Sequence, residues 1–390
     1  MAFCHNQTMR RYRPLLIACS LLLVLHLYIG LRLLGDLPVD HTGRLIGVAA
    51  VFLSWVLIPL TVVARFIPYR ALAERLAWAG SLAMGLFSSV FVLTLLRDIV
   101  LAFGALLLPH SIETSFAARS AVAVLALAVL ATLIGFVVAR RRARVVHVDV
   151  PLANLPIGLH GFIIAQISDI HVGPTIRRGY VDRIVNAVNK LNADMIAVTG
   201  DLVDGSVSEL WPHTAPLARL VARHGAYFVT GNHEYYSGEP AWRVELKRLG
   251  LKVLTNEHVV LDHDGSPLIV AGVTDHSAHQ FDPAQRSDPQ AALAGAPAGI
   301  GPKLLLAHQP RSATAASAAG FDLQLSGHTH GGQFWPWNLF VRLQQPFTAG
   351  LHRLNDLWVY TSRGTGYWGP PQRLGVPSEI TRLRLVPALT

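Results

Sequence analysis

The sequence predicts two architectures in series: an all-α membrane domain of four transmembrane helices, then an α/β domain with a mixed sheet or two packed sheets. Three observations carry this. Four long apolar stretches occupy the first 144 residues. Past Arg144 the pattern changes to short apolar runs of strand length, interleaved with segments of helical periodicity. Five of those runs end on an Asp, Asn or His.

The apolar stretches run over about 15–34, 45–64, 76–96 and 120–139. Each matches the ~20 residues that a helix needs to cross a ~30 Å hydrocarbon core. Arg97 and Asp98 interrupt the third, either marking its end or forming a neutralised pair inside a longer helix. Arginines cluster before span one (Arg10, Arg11, Arg13), between spans two and three (Arg65, Arg70, Arg75) and after span four (Arg140, Arg141, Arg142, Arg144). The positive-inside rule then places both termini in the cytoplasm, as a multi-pass inner-membrane protein would have them. The expected organisation is a membrane domain over 1–144, a linker over 145–159 and a catalytic domain over 160–390.

Charge excludes one class of partner. The chain carries a net +9, but residues 1–144 hold fourteen Arg against five acids, while residues 145–390 hold nineteen basic and nineteen acidic side chains. The excess lies where membrane topology requires it. A nucleic-acid binder would need it on the domain that carries the chemistry. The two cysteines, Cys4 and Cys19, lie near the N-terminus, so metal donors in the second half are N and O atoms only.

Within that half, Val145–Val150 alternates as a strand does, and Pro151 and Pro156 punctuate the segment after it. Phe162–Ile167, Met195–Thr199, Ala226–Thr230, Lys303–Ala307 and Phe321–Leu325 read as buried strands, with Tyr180–Leu191 as an amphipathic helix. Leu251–Leu261, Pro267–Val273, Leu357–Thr361 and Glu379–Leu385 read as further strands.

The strand ends carry the chemistry. They read Asp169-Ile-His171, Gly200-Asp201-Leu-Val-Asp204, Gly231-Asn232-His233-Glu234, His308 and Gly327-His328-Thr-His330. In open α/β sheets, sites form at the carboxyl edges of strands, where side chains converge. The glycines before Asp201, Asn232 and His328 permit tight turns close to a ligand.

This order of motifs resembles the calcineurin-like metallophosphoesterase superfamily, over roughly residues 160–386. The resemblance implies a four-layer α/β/β/α sandwich and two divalent metal ions of the Mn, Fe, Zn or Mg type. One metal would take Asp169, His171, Asp201 and His330. The other would take Asp201, Asn232, His308 and His328, with Asp201 bridging as a catalytic residue. Such a pair sits ~3.5–4 Å apart and clamps phosphate oxygens for in-line displacement. His233 is implied as a catalytic non-ligand that stabilises the transition state or protonates the leaving oxygen, with Glu234 orienting it and Asp204 as a supporting acid. Gly331-Gly332-Gln333, Ser362-Arg363-Gly364-Thr-Gly366 and Pro377-Ser378-Glu379-Ile380 resemble a bacterial membrane-associated branch. That branch is related to UDP-2,3-diacylglucosamine pyrophosphatase-type phosphodiesterases.

The expected function is therefore a membrane-anchored phosphoesterase that cleaves a phosphodiester or pyrophosphate in a lipid or nucleotide-lipid. Its partners are the substrate and the bilayer, with no nucleic acid. The aromatics Phe334, Trp335, Trp337, Phe340 and Phe347 suit an acylated substrate or the membrane interface, or else they pack the second sheet. Arg177, Arg178 and Arg363 are candidates for a second phosphate or carboxylate on the substrate. The alternatives are a phosphatase or cyclic-nucleotide diesterase acting on a soluble substrate, and a non-catalytic metal-binding sensor or scaffold.

Overall fold

A computed structural model of the chain describes residues 2–107, 110–297 and 299–388. It separates into two compact units, Met1–Phe136 with Gly369–Pro371, and Val137–Trp368 with Gln372–Thr390.

The first unit is helical: α1 (Ala2–Leu34), α2 (His41–Val63), α3 (Arg70–Leu107) and the start of α4 (His110–Arg140). Each of the four helices has length and apolarity enough to span a bilayer. Leu31, Phe52, Phe103 and Leu133 are more than half exposed, as lipid-facing side chains are. Helix α3 runs unbroken through Arg97 and Asp98, which selects the second of the two sequence readings. Arg97 is buried and donates to Asp36, to the Ala117 carbonyl and to Ser120 Oγ at 2.9 Å. Asp98 accepts from Arg32 at 2.8 Å and from Tyr28 at 2.6 Å. These charges are paired, which is the condition for tolerating them in such a helix.

The second unit is built on two six-stranded mixed sheets. The first has the order β1 (Arg144–Leu152), β12 (Glu379–Pro387), β2 (Ile163–Ile167), β3 (Met195–Val198), β4 (Ala226–Phe228), β5 (Leu251–Val253). The second has the order β10 (Gly350–Leu354), β11 (Leu357–Thr361), β9 (Leu323–Ser326), β8 (Lys303–Leu306), β7 (Ser266–Gly272), β6 (Glu257–His263). Strands β2 to β5 are mutually parallel, and so are β7, β8, β9 and β11.

Side-chain alternation on the strands makes the layers. Met195 and Ala197 of β3 point between the sheets, where Ile164 and Tyr227 meet Val270, Leu306 and Leu325. Ile196 and Val198 point the other way, into the core formed with Val181, Ile184 and Val185 of α5 (Arg178–Asn189), Leu210 of α6 (Val207–Thr214), Trp242 and Leu246. The outer face of the second sheet, with Ala271, Leu305 and Val359, is covered by Ala292, Ala313 and Ala316 of two short helices. The result is the expected α/β/β/α sandwich. Burial on both faces explains why its central strands read as continuous apolar runs.

Three details differ from the sequence reading. The run Leu251–Leu261 is two strands, β5 and β6, in different sheets; the chain turns between them at Asn256, which has a left-handed φ of 56°. Residues 145–159, grouped as a linker although Val145–Val150 alternates as a strand does, carry most of β1, which belongs to the first sheet as an edge strand paired in parallel with β12. An edge suits Pro151, which has no N–H to give to a further neighbour. Strand β10 had no clear sequence signal.

Candidate metal centre

Every motif lies at the carboxyl end of a central parallel strand. Asp169 and His171 follow β2, Asp201 follows β3, Asn232 follows β4, His308 follows β8, and His328 and His330 follow β9. The two sheets thus present their donors along one shared edge. Asp169, His171, Asp201, His328 and His330 all have left-handed φ, between 51° and 69°. This conformation costs an L-residue about 1–2 kcal/mol, so surrounding bonds must impose it. The Asp169 N–H donates to the Gly200 carbonyl at 3.0 Å, and the His171 N–H to the Asp201 carbonyl at 3.1 Å. The His328 N–H donates to Asp169 Oδ1 at 2.9 Å. Close approach also demands Gly327: a Cβ there would lie 1.9 Å from Ser168 Oγ and 2.2 Å from Asp169 Oδ2.

The side chains gather into three overlapping groups, each with donor atoms within 4.8 Å of one another: Asp169, His171 and His330; Asp201, His308 and His328; and His171, Asp201 and His233. Asp201 Oδ2 is 3.2 Å from His308 Nε2 and 3.8 Å from His171 Nε2. His171 Nε2 faces His330 Nε2 at 3.0 Å, and His328 Nδ1 faces His308 Nε2 at 3.2 Å. Remote partners set the tautomers. The Thr199 carbonyl, 2.7 Å from His308 Nδ1, places that proton on Nδ1 and leaves Nε2 a lone pair. Asp204 Oδ1, 3.2 Å from His171 Nδ1, does the same for His171. Asn232 Oδ1 is buried with no hydrogen-bond partner. Such an orphan costs about 1–3 kcal/mol. Converging imidazole lone pairs, a central carboxylate and an orphaned carbonyl oxygen fit hard-to-borderline divalent cations.

His233 sits one residue into α7 (Asn232–Tyr236), half-buried, with Nδ1 2.5 Å from Asp204 Oδ1 and Nε2 3.9 Å from Asp201 Oδ2. Burial alone would lower its pKa, but the Asp204 hydrogen bond and the Asp201 charge override this and raise it to about 9. Burial pushes Asp204 up in turn, yet His171 and His233 hold it well below the usual carboxylate range. Burial and the neighbouring His308 lower His328 to about 3. Burial, His171 and Arg373 lower His330, keeping it in the neutral form that has a lone pair.

Glu234 does not orient His233, contrary to the sequence expectation. Its buried carboxylate accepts four backbone N–H groups: Leu202 at 2.7 Å and Val203 at 3.3 Å on Oε1, Gly231 at 2.7 Å and Asp201 at 3.0 Å on Oε2. It ties the Asp201 loop to the start of α7. Burial and the Asp201 charge raise its pKa to about 8, against these four donors. The aligning acid for His233 is Asp204. Arg363 pairs with Glu379 at 2.9 Å and Arg178 with Asp182 at 3.8 Å. Arg177 donates to the Pro174 carbonyl at 3.2 Å. Of the aromatic segment, Phe334 is buried, whereas Trp335, Trp337 and Phe340 are exposed. Besides His171, the rings that touch His233 are instead Tyr236 and Trp368.

Arg373 had no sequence signal, standing in an aperiodic Gly/Pro loop. It is fully buried, donates to the carbonyls of His330 (2.9 Å), Arg363 (2.7 Å) and Gly366 (2.5 Å), and lies 3.0 Å from His330 Nδ1.

Two mixed sheets with a His/Asp/Asn donor set along one carboxyl edge define an α/β metallohydrolase class. Comparison with known proteins agrees. The calcineurin-like phosphoesterase family matches residues 162–332. A zebrafish "Transmembrane protein with metallophosphoesterase domain" is 38% identical over 317 residues, 77% of this chain and 72% of that protein. Its bovine namesake is 40% identical over 280 residues, 69% of this chain and 63% of that protein. An "Uncharacterized metallophosphoesterase" of Helicobacter pylori is 40% identical over 229 residues, 57% of this chain and 60% of that protein. At 77% of the chain, the first match is longer than the sandwich and reaches into the membrane helices. The chain belongs to the calcineurin-like phosphoesterase family. It is a membrane protein and a phosphoester hydrolase with candidate metal-binding residues.

Proposed function

We propose that Asp169, His171, Asp201 and His330 hold one divalent cation and that Asp201, Asn232, His308 and His328 hold a second. On this reading the chain hydrolyses a phosphodiester or pyrophosphate bond in a lipid or nucleotide-lipid, such as UDP-diacylglucosamine, at the cytoplasmic face of the inner membrane. The observation that carries it is the set of three donor groups linked through His171 and Asp201, with the orphaned Asn232 oxygen. Bound cations of the Mn, Fe, Zn or Mg type would supply Lewis acidity toward phosphate oxygens and lower the pKa of water.

The chain's own residues do the rest. Asp204 holds His233 by Nδ1, leaving Nε2 as the proton donor for the leaving oxygen. Glu234 keeps the Asp201 loop and α7 in register. The four spans bring the site to a lipid substrate, and the arginine distribution supports the cytoplasmic orientation.

The test is hydrolysis by detergent-solubilised, Mn²⁺-loaded full-length protein, wild type against Asp201→Ala, on a monoester, a simple diester and UDP-diacylglucosamine. Turnover of the lipid nucleotide, lost in Asp201→Ala, is the expected result. Turnover of the simple esters alone would discard the lipid substrate and favour the soluble-substrate alternative. Metal binding without any turnover would favour the sensor. A C-terminal reporter active only outside the cell would overturn the orientation.

A further inference from the structure

We infer that the leaving-group side of this site is an aromatic wall of Trp368, Tyr236 and Phe281, selecting phosphoesters with a large apolar leaving group. The inference rests on the proposal that His233 serves the leaving oxygen.

The His233 ring has three edge-on aromatic neighbours: His171 on the side of the polar centre, 4.6 Å away at 87°, and two rings away from it. Trp368 lies 5.5 Å away at 78°, and Tyr236 lies 5.3 Å away at 76°. Phe281 extends the wall, edge-on to Tyr236 at 5.5 Å and stacked on Tyr235 at 5.5 Å. Trp368 is 50% exposed, Tyr236 59% and Phe281 48%. A single exposed aromatic on a protein surface needs no explanation. Three in one chain of contacts, beginning at an imidazole of the polar centre, form an apolar surface joined to that centre, as ligand sites do.

The wall is built by the same loops that place the metal-ligand candidates. Gln333 stands three residues beyond His330, is nearly buried, and has a left-handed φ of 59°. Its side-chain amide clamps the Trp368 backbone from both directions. Nε2 donates to the Trp368 carbonyl and Oε1 accepts from the Trp368 N–H, each at 2.9 Å. Two residues earlier, a Cβ on Gly366 would lie 2.1 Å from the Ile170 carbonyl, so this segment is pressed against the turn between Asp169 and His171. Tyr236 closes α7, whose first turn Glu234 anchors. The backbone under Trp368 is therefore fixed while its ring stays half free, which suits a contact surface more than a packing filler.

The chemistry of the wall limits what it can recognise. Indole, phenol and phenyl rings offer π faces and C–H edges, and they carry no charge for a second phosphate. They suit hydrocarbon or a planar ring. An alkyl chain and an aryl group share this chemistry, and matched substrates separate them.

The experiment uses the Mn²⁺-loaded full chain and methyl phosphodiesters whose second alcohol is ethanol, 1-octanol or 3-phenylpropanol. These alcohols are similar in acidity, so the esters differ in the bulk of the leaving group and hardly in its reactivity. Wild type is expected to favour the two large leaving groups over ethyl in kcat/KM by about tenfold or more. Trp368→Ala is expected to bring that ratio close to one at unchanged metal content, while Trp368→Phe retains most of it. If Trp368→Ala fails to bind metal, Tyr236→Ala is read in the same way. Preference for octyl over phenylpropyl assigns an acyl-type partner, and the reverse assigns an aryl one. Equal turnover of all three esters by wild type, or a ratio that survives both alanine variants, overturns the wall and leaves the phosphoesterase reading standing. No metal-dependent turnover of any ester overturns both.

Discussion

Glu234→Gln separates the job the sequence suggested for this residue from the one the fold imposes. The carboxylate gives each of its two oxygens to a pair of backbone donors. Glutamine keeps the shape but replaces one oxygen with an NH₂, which then faces a pair of N–H groups. Two buried donors lose their acceptor, at about 1–3 kcal/mol each, so the variant is expected to lose about 2–6 kcal/mol. For a domain of about 150–250 residues, each kcal/mol lowers Tm by about 2–4 °C. The expected fall is thus roughly 4–24 °C, with smaller values if the loops relax toward the new amide. The assay is thermal unfolding of the detergent-solubilised full chain, followed by near-ultraviolet circular dichroism, which reports packing of the aromatic-rich sandwich more than helix content. Metal content is measured in parallel and is expected to fall, because the Asp201 loop loses its tie to α7. A variant that melts with the wild type, holds its metal and yet turns over slowly would refute the reasoning. It would return Glu234 to a partner role for His233.

Other outcomes follow from the same geometry. Asp204→Asn removes the carboxylate shared by His171 and His233. It is expected to lower kcat by about 10²-fold or more and to weaken Mn²⁺ binding by about 10-fold or more, measured by steady-state kinetics and calorimetry. Gly327→Ala forces a Cβ into Ser168 and Asp169; bound metal per chain, read by elemental analysis, should drop while circular dichroism stays near wild type. Mn²⁺ at about 100 times its Kd should stabilise the fold by about 2.7 kcal/mol, raising Tm in a way that a chelator reverses. An unchanged Tm would argue that the donor set binds nothing.

The donor set was legible because each motif is local. A strand end, a small residue and a His, Asp or Asn lie within a few positions of one another, and the apolar run before them marks burial. What each motif's neighbours do was less legible. Glu234 adjoins His233 in sequence, which invites pairing them, yet a carboxylate buried beside four N–H groups is held by those instead. Asp204 has the partnership, because the Asp201 loop carries it to His233 and His171. Arg373 and Trp368 had no signal, since their partners are His330 and Gln333, far away along the chain and reached through an aperiodic loop.

The sequence by itself determined the four apolar helices, most of the strands and the side chains available at their ends. These depend on hydropathy and on periods of 2 and 3.6 residues, which are properties of short segments. Only the tertiary structure decided that the run Leu251–Leu261 divides between two sheets, that residues 144–152 form an edge strand against the C-terminal strand, and which polar group each buried charge answers to. Pairing between distant segments is chosen by the requirement that buried donors and acceptors be satisfied all at once, and no local stretch of sequence states that requirement.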